Sequence, residues 1–419
     1  MIDIKKLSQD ATIYTSELER RNKPNNLAND LAKYFNEQNN IQKDLDAQRQ
    51  IKNEFNDAVI KLEGKDKQQA ITKMKEVSER IKILEAKVNE AKAIVTDLSY
   101  KIPNITSKLT PVGKTDEDNV VIKTFGEKPK FNFTPKHYHE LPVFQKNYFG
   151  EKGVEAFGTR GYYIKGDLAK LQKVLFTYIL DELEKKGFEY VIPPILVNQK
   201  TMFGTGFFPD GQEDTYSVTA SDKTFYLVGT SEAPLMFLHS NSTIDLTKPV
   251  LLTANTPCFR KEAGSYGKDT MGGIRVHQFD KVETVALCKP EEADKVFDML
   301  TDTFTQNALS LGLTFHHLEV CTGDISMKNH RQIDIEAWFP AQDKYRELCS
   351  SSNCTDYQTR NLNITYIDQQ GNKALAYSLN ATGVTNRMMF AILEQNQQED
   401  GSVLLPKVLA DIIGKTTLI

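Results

Sequence analysis

Residues 259–283 read FRKEAGSYGKDTMGGIRVHQFDKVE. A glycine-rich centre separates two arms of strand-like composition, a pattern typical of a long β-hairpin. Arg260 and Arg275 can neutralise phosphate groups, and Glu262 can accept a hydrogen bond from an adenine amino group. Phe279 offers an apolar face for stacking. We therefore predict an antiparallel hairpin that holds a nucleoside triphosphate; the alternative interpretation is a surface loop with exposed charges.

Helical and strand-like segments lie on both sides of this hairpin. The helical segments are 168–185, 291–311 and 387–396, and the strand-like ones are 190–192, 224–228, 250–254, 276–287, 332–339 and 345–349. They lack the regular succession of strand, crossover helix and strand that a parallel sheet requires. We predict an antiparallel sheet flanked by helices.

A different pattern occupies the first hundred residues. Mostly apolar positions recur in alternating steps of four and three at Leu31, Tyr34, Gln38, Ile41, Leu45, Gln48, Lys52, Phe55, Val59 and Leu62. A second, wholly apolar seam follows at Met74, Val77, Ile81, Leu84, Val88, Ala91, Val95 and Leu98. Two heptad seams joined by a polar break at 63–66 predict an antiparallel coiled-coil hairpin over about residues 27–99. At ~1.5 Å per residue each arm would project about 50 Å.

Such a rod either reaches a distant partner or, like most coiled coils, joins subunits. Its outer faces carry lysines and arginines among many acids, which permits RNA binding without demonstrating it. Pro103 ends the helical pattern, and the composition then changes to glycine, proline and short strand-like runs. We therefore predict an α+β protein with a helical domain at 1–102 and a mixed domain at 103–419.

The composition limits the class of protein. The chain has 419 residues, 40% of them hydrophobic and 26% charged, which is ordinary for a globular protein of two domains. Its formal net charge is −4, so a nucleic-acid partner would have to bind a local basic patch. The five cysteines are sparse and form no paired CxxC modules, which favours a reducing cytoplasm. We find no signal peptide and no membrane-spanning stretch, and we expect a cytosolic protein that does not bind a membrane.

The common phosphate-binding signatures are missing. Residues 414–416 and 113–115 each read GKT, but Leu409 and Lys108 stand where a P-loop needs its first glycine. No G-x-G-x-x-G opens a helix after a strand. ATP would have to be held by another device, mainly arginines and carboxylate-bound magnesium.

The stretch at 259–283 closely resembles the second motif of the class II aminoacyl-tRNA synthetases, and within them the seryl-tRNA synthetases, whose pattern is FRxEAGSxGxDTxGxxRxHQFxKVE. The resemblance extends over essentially the whole chain, with further matches in PVGKTDEDN (111–119), GFEYVIPPILVN (187–198), VGTSEAPL (228–235) and SSNCTDYQTR (351–360). It implies activation of L-serine with ATP and transfer of the seryl group to the 3′ end of a transfer RNA.

The resemblance also implies roles for individual residues. It places a serine site at Thr230, Ser231, Glu232, Arg260, Glu283, Asn380 and Thr382. It places an ATP site at Arg260, Lys261, Glu262, Arg275, Phe279, Glu347, Leu348, Cys349, Ser350 and Arg387, with Mg²⁺ on Glu347 and Ser350. Arg260, Glu283 and Arg387 are the expected catalytic residues. Glu232 would bind the α-ammonium group, Glu283 the serine hydroxyl, and Arg260 both the substrate carboxylate and the α-phosphate.

By the same resemblance, the coiled-coil arm grips tRNA(Ser), usually across a homodimer. It also implies serylation of tRNA(Sec) where the host has one. GFEYVIPPILVN (187–198) matches the first motif, which lies at the dimer interface of class II enzymes.

Several positions depart from the family pattern. Met271 replaces an arginine, Cys349 replaces a serine, and NATGVTNR (380–387) is one residue shorter than its counterpart. These changes leave two alternatives open: a ligase that loads an amino acid onto a carrier protein, and a non-catalytic paralog that binds through its coiled coil. Carrier-protein ligases lack the tRNA-binding arm, and a paralog without activity need not retain Arg260, Glu262 and Glu283.

Overall fold

The structure is a computed structural model that describes residues 1–59, 62–263 and 272–419; the side chains of residues 58 and 59 are outside that description. The described chain forms two compact units, Met1–Ile105 and Thr106–Ile419. Residues 264–271, the centre of the predicted β-hairpin with Met271, lie outside the described residues. So do residues 60 and 61 near the tip of the predicted arm.

The first unit consists of helices α1 (Ile4–Gln9), α2 (Thr12–Arg20), α3 (Asn26–Val59) and α4 (Gly64–Tyr100). α3 and α4 pack antiparallel, with Leu45 of the first seam against Ile81 and Leu84 of the second. The predicted coiled-coil hairpin is therefore confirmed. Residues 64–66 of the predicted break belong to α4, which begins at Gly64. Asp66 in its first turn stabilises this start by interacting with the helix dipole.

The base of the first unit contains two short helices that the heptad pattern did not predict. Leu7 of α1 and Leu18 of α2 are completely buried. The buried guanidinium of Arg21 donates to Glu17 Oε1 at 2.9 Å and to the carbonyl of Asn104 at 2.8 Å. These contacts fasten the chain that leaves α4 to the chain that enters α3.

The second unit is built on one large sheet. Its strands are β1 (Val120–Phe125), β2 (Tyr148–Phe149), β3 (Tyr163–Ile164), β4 (Glu189–Tyr190), β5 (Leu196–Asn198), β6 (Ser217–Ala220), β7 (Lys223–Leu227), β8 (Val250–Phe259), β9 (Gln278–Cys288), β10 (Phe315–Glu319), β11 (Arg331–Phe339), β12 (Lys344–Thr355), β13 (Thr365–Ile367), β14 (Lys373–Leu375), β15 (Tyr377–Thr385), β16 (Val403–Leu404) and β17 (Thr417–Leu418). In the large sheet the order is β1-β10-β11-β12-β15-β9-β8-β4.

The pairing in this sheet is antiparallel, as predicted, apart from the short edge strand β4, which lies parallel to β8. β8 and β9 are the two arms of the predicted hairpin, and Phe259 pairs with Gln278. β15 inserts between β9 and β12, although it is distant in sequence from β9. β10 contains two adjacent histidines, His316 and His317.

The helices of this unit are α5 (Pro142–Asn147), α6 (Gly150–Phe157), α7 (Gly166–Lys185), α8 (Gln199–Gly204), α9 (Glu232–Phe237), α10 (Ala293–Ser310), α11 (Tyr357–Leu362), α12 (Asn386–Gln395) and α13 (Lys407–Ile413). The three predicted helices correspond to α7, α10 and α12, which contribute Leu175, Phe304 and Phe390 to the main core against the sheet. None of the helices in the described ranges is long and apolar enough to cross a bilayer.

Candidate active site

Glu283 lies in the middle of β9 and is 1% exposed. Its neighbours Val282 and Ala286 belong to the main core with the helices. Val285 and Leu287 belong to a second cluster. Successive side chains of a strand point to opposite faces, so Glu283 lies on the sheet face that does not pack against α7, α10 and α12. This face carries the candidate site.

A buried cation and a hydroxyl hold the Glu283 carboxylate. Thr230 Oγ1 donates to Glu283 Oε2 at 3.1 Å. Lys281, two residues before Glu283 and therefore on the same face, forms an ion pair with it and donates to Thr230 Oγ1 at 3.3 Å. Burial and the neighbouring Glu232 raise the pKa of the Glu283 carboxyl, whereas Lys281 and Lys328 oppose this. The site face thus contains, in Glu283, a carboxylate that is a strong hydrogen-bond acceptor when ionised.

Glu232, at the start of α9, is the second buried carboxylate of the site, with 3% exposure. Its Oε1 atom accepts from Gln358 Nε2 at 2.7 Å and forms an ion pair with Lys328 Nζ. Its backbone N–H donates to Thr230 Oγ1 at 3.3 Å, which links it to the Glu283 group. Two donors therefore fix one oxygen of the Glu232 carboxylate.

β15 adds two more of the predicted serine-site residues. Thr382 pairs with Glu283 across the β15–β9 ladder, and Asn380 pairs with Val285. Both side chains are buried. Ser231 is fully buried, and its Oγ has no hydrogen-bond partner among the described residues. The structure thus gathers the predicted serine-site residues beside one sheet face, from β9, β15, the residue after β8 and the segment that leads into α9.

A pocket of about 630 Å³ lies beside this group. The predicted residues that line it are Arg260, Glu262, Phe279, Glu347, Leu348, Ser350, Thr382 and Arg387. Lys281 and Ile274 also contribute to the wall. Residues predicted for the nucleotide and residues predicted for serine therefore share one cavity.

The strand ends of the β8–β9 hairpin form one wall of the pocket. The Arg260 guanidinium lies 5.4 Å from the centre of the Phe279 ring. The backbone of Arg260 is fixed because its N–H donates to the His277 carbonyl at 3.0 Å. Glu262 has a φ of 54°, and its Oε2 accepts from Arg275 Nη1 at 3.2 Å. Arg275 itself lines an adjoining pocket, which shares Arg260, Glu262 and Arg387 with the first.

A β-bulge explains how Glu347 and Ser350 reach the same face. In a regular strand, residues three apart point to opposite faces. In the β11–β12 ladder, Ile335 pairs with Cys349 and Glu336 pairs with Glu347, so Leu348 is the extra residue. The bulge returns Glu347 to the site face, where Ser350 already lies. The sequence alone places these two residues near each other but not on one face.

Glu347 faces cations from three directions. Arg387 Nη1 donates at 3.1 Å both to Glu347 Oε2 and to its backbone carbonyl. The protein around the half-exposed Glu347 carboxyl would by itself raise its pKa, but Arg387, Arg260 and Lys281 together hold that pKa below its ordinary value. The pKa of Asp334, which pairs with Ser350 in the β11–β12 ladder, changes in the opposite direction. Burial and the neighbouring Glu347 raise the pKa of the Asp334 carboxyl well above its ordinary value.

Two polar groups on the wall of the pocket carry unused hydrogen-bonding capacity. Thr385 Oγ1 and Asn386 Oδ1 are buried and have no hydrogen-bond partner within the described ranges. Buried polar atoms of this kind usually have a partner, and a bound ligand can supply it. Both stand directly before Arg387, in the segment that is one residue shorter than its family counterpart.

Two predicted ATP residues, Cys349 and Lys261, line neither of these pockets. The side chain of Cys349 faces the helices, where it belongs to the main core and donates to the Gly383 carbonyl at 3.8 Å. Its predicted contact with ATP can therefore involve only its backbone. Lys261 is exposed, and its N–H donates to the Asp214 carbonyl at 2.8 Å. Its side chain lies outside the pocket wall.

The sequence did not predict Lys281, Lys328 or Gln358 as site residues. The alternation of β9 was an available signal for Lys281, which shares a face with Glu283. No such local signal exists for Lys328 and Gln358, because they are 96 and 126 residues from their partner Glu232. Tertiary folding alone makes these contacts.

Two family models match the chain. Residues 1–106 match the seryl-tRNA synthetase N-terminal domain. Residues 216–396 match the tRNA synthetase class II core domain of the G, H, P, S and T type. The first match contains the coiled-coil arm, and the second contains the pocket with Glu283, Arg260 and Arg387.

Curated relatives match over nearly the full length. A serine–tRNA ligase of Nautilia profundicola is 39% identical, over 98% of this chain and 99% of its own. A serine–tRNA ligase of Campylobacter jejuni subsp. doylei is 36% identical with the same coverage. The serine–tRNA ligase of Corynebacterium glutamicum is 37% identical, over 100% of this chain and 98% of its own.

Solved structures match as completely. The seryl-tRNA synthetase of Pyrococcus horikoshii complexed with ATP superposes with a TM-score of 0.91 at 31% identity, over 100% of this chain and 99% of that one. The cytoplasmic serine–tRNA ligase of Naegleria fowleri in complex with AMP gives a TM-score of 0.85 at 27% identity, over 99% and 98% of the two chains.

Proposed function

Because the chain belongs to the seryl-tRNA synthetase family, we propose that it is a serine–tRNA ligase, which activates L-serine with ATP and transfers the seryl group to the 3′ end of tRNA(Ser). The observation that supports this most strongly is the juxtaposition on one sheet face. The buried carboxylates Glu232 and Glu283 lie beside a pocket whose wall carries Arg260 and Arg387. An amino acid and a triphosphate can therefore meet at the reacting atoms.

The serine site combines charge with hydrogen bonding. The free oxygen of Glu232 binds the α-ammonium group, since Lys328 and Gln358 occupy the other oxygen. Glu283 accepts a hydrogen bond from the serine hydroxyl. Alanine is rejected because it leaves Glu283 without this partner, and threonine is rejected because its methyl group lacks space.

The nucleotide is held mainly by positive charge. Arg260 contacts both the serine carboxylate and the α-phosphate, and it thereby brings the nucleophile and the electrophile together. Arg387 faces the terminal phosphate, while Phe279 and Glu262 bind the adenine by stacking and hydrogen bonding. The serine carboxylate is already ionised at neutral pH, so activation needs no general base. Positioning and electrostatic stabilisation of the transition state provide the catalysis.

The residues on the site face fit a magnesium ion. Glu347 and Ser350 offer the carboxylate and hydroxyl oxygens that Mg²⁺ prefers, and they share one face because of the bulge at Leu348. Asp334 and Glu336 place two further carboxyl groups beside them. Mg²⁺ usually binds one or two protein carboxylates together with substrate phosphates. When bound, the ion would neutralise charge on the phosphates and the diphosphate leaving group.

Transfer of the seryl group requires the tRNA. We assign tRNA binding to residues 1–102, whose arm grips the long variable arm and elbow of tRNA(Ser), and catalysis to residues 103–419. Phosphate and shape contacts dominate such binding. The same arm would accept tRNA(Sec) where the host has it.

The assembly and location belong to the same proposal. The chain acts as a homodimer, in which 187–198 contributes to the interface. Tyr190 and Ile192 of this segment are 41% and 87% exposed in the single chain, which supports such a surface. All five cysteines lie within the described residues and none forms a disulfide, as expected in a reducing cytoplasm.

The proposed activity is tested by amino-acid-dependent exchange of pyrophosphate into ATP, across the twenty standard amino acids and with magnesium present. We expect exchange with serine only. Arg260→Ala should lower exchange by about 10²- to 10³-fold. Glu283→Ala should raise the serine KM at least about tenfold and reduce the preference for serine over alanine. Glu155→Ala, an exposed carboxylate on α6, is the matched control and should behave as wild type.

Charging of tRNA(Ser) transcripts tests the second step. Folded protein that exchanges with no amino acid would exclude the ligase activity and favour the non-catalytic paralog. Exchange with serine but no charging of tRNA would favour a carrier-protein ligase.

A further inference from the structure

Lys328 is a buried cation in the amino-acid site that neither the sequence nor the reaction scheme requires. It stands between β10 and β11 and is 6% exposed. Its Nζ forms an ion pair with Glu232 Oε1, the oxygen to which Gln358 also donates. It lies 4.4 Å from the centre of the Phe207 ring, which covers it with an aromatic face. The ammonium group is therefore enclosed at a defined position.

Taking the lysine ammonium out of water is costly and is offset only where a carboxylate meets it. Burial by itself would lower the pKa of Lys328, but Glu232 beside it, with smaller effects from Cys354 and Glu283, holds that pKa above its ordinary value. Lys328 is therefore charged at neutral pH. It places a permanent positive charge behind the carboxylate that faces the substrate.

The formal charges of the site then balance. Glu232 and Glu283 contribute two negative charges, and Lys328 and Lys281 contribute two positive ones. Serine enters as a zwitterion with no net charge. Without Lys328, the two buried carboxylates would share Lys281 alone, and one negative charge of the pair would be left without a cation.

We propose that Lys328 is a positioning residue of the serine site: together with Gln358 it holds Glu232 Oε1, so that the carboxylate turns its other oxygen to the substrate's α-ammonium group. This inference rests on the proposed serine–tRNA ligase activity. Because Lys328 acts through Glu232, it should affect the binding of serine and leave the binding of ATP and the chemical step nearly unchanged.

The first measurement is serine-dependent exchange of pyrophosphate into ATP by the wild-type enzyme. If wild type exchanges with no amino acid, the proposed activity itself is wrong. If wild type is active, Lys328→Met, which keeps the length of the side chain and removes the charge, should raise the serine KM by about tenfold or more. The ATP KM and kcat should change by less than about threefold. Lys186→Met is the control, since Lys186 bonds Thr303 near the end of α7, away from the site.

Gln358→Met tests the same Glu232 oxygen without removing a charge. It removes the other hydrogen-bond donor to Glu232 Oε1. The proposal can therefore still be tested if Lys328→Met does not fold. We expect the serine KM of Gln358→Met to rise by about threefold or more, with an unchanged ATP KM. Lys328→Arg, which retains the cation, should bind serine better than Lys328→Met.

Competition with substrate fragments separates this role from general damage. Ethanolamine carries the ammonium and hydroxyl groups without the carboxylate, and 3-hydroxypropionate lacks the ammonium group. Lys328→Met should weaken inhibition by ethanolamine about as much as it raises the serine KM, and should leave inhibition by 3-hydroxypropionate unchanged. An unchanged serine KM in both variants would overturn the proposal. So would a lower serine KM, which would mean that Lys328 competes with the substrate for Glu232, or an equal loss of both inhibitors.

Discussion

At the scale of single residues, the site is a set of buried charges that hold one another in place. The Lys281 ammonium and the Thr230 hydroxyl both contact the Glu283 carboxylate and partly compensate for its burial, which raises its pKa. Glu232 has the same arrangement with Lys328 and Gln358. Each of these two buried carboxylates thus has its own cation, which compensates for the removal of its charge from water.

A buried histidine outside the site gives a pH-dependent prediction. Burial, with Lys123 and His316 nearby, lowers the pKa of His317 from 6.5 to about 4, although Asp302 opposes this. Thr305 donates its hydroxyl to the Thr301 carbonyl, so it accepts from His317 Nε2 at 2.9 Å, which identifies the neutral Nε2–H tautomer.

In the unfolded chain this ring takes up a proton as the pH falls below about 6.5, but in the native protein it does so only near pH 4. The free energy of unfolding should therefore decrease between pH 6.5 and 4. His317→Phe, which preserves the ring contact with Phe125, should flatten this part of the curve. Urea titrations of both proteins between pH 7 and 4.5 measure it. Parallel curves for the two proteins would contradict the assignment.

At the scale of elements, the bulge in β12 and the insertion of β15 build the pocket. The bulge at Leu348 turns Glu347 to the face of Ser350. A second irregularity at Gly383 separates Thr382, which faces the site, from Val384, which enters the core. A Cβ at Gly383 would lie 2.8 Å from Val282 Cγ1, so the sharp local path of β15 requires glycine there.

The arm is a second element with its own packing. Leu84 is 3% exposed in the seam, whereas its neighbour Ile83 is 49% exposed. Leu84→Asp puts a charge into the seam, which costs several kcal/mol, and should open the helical hairpin. We expect at least about a tenfold loss in kcat/KM for tRNA charging, with unchanged serine-dependent exchange. Ile83→Asp is the control: it adds the same charge to the exposed face of the arm, so the helical hairpin should remain packed.

Circular dichroism at 222 nm reports the arm in both variants. Normal tRNA charging by Leu84→Asp with a demonstrably melted arm would show that the arm does not bind tRNA. It would then favour a role in joining subunits.

At the scale of the whole molecule, the described chain divides into two units with different types of contact. Unit Met1–Ile105 is held by local helix pairing. Unit Thr106–Ile419 is held by a sheet whose neighbouring strands are often distant in sequence. This division fits a protein in which one part binds RNA and the other performs chemistry.

The proposed homodimer gives a test at this scale. Ile192 is 87% exposed within the first-motif segment, and burial against a second copy would remove its apolar surface from water. Ile192→Asp should shift the particle from twice the chain mass towards the single-chain 47.5 kDa in light scattering. Ile412→Asp, at a 57% exposed position on α13, is the control and should remain dimeric. A monomeric wild type would exclude the dimer.

The sequence by itself predicted the coiled-coil arm, the β8–β9 hairpin and the three long helices α7, α10 and α12. Their signals are local: heptad spacing, strand alternation and helical periodicity are set by residues within a few turns of each other. The match to a family motif added the expected roles of Arg260, Glu283 and Arg387.

The tertiary structure alone decided the pairing of β15 with β9, the bulge at Leu348 and the contacts of Lys328 and Gln358 with Glu232. Strand order and register depend on which distant segments pack together, and a bulge reverses the face of a side chain without changing the sequence pattern around it. A buried ion pair between residues 96 positions apart leaves no periodic trace in the chain. It forms because folding removes both charges from water at the same point, where each is stable only beside the other.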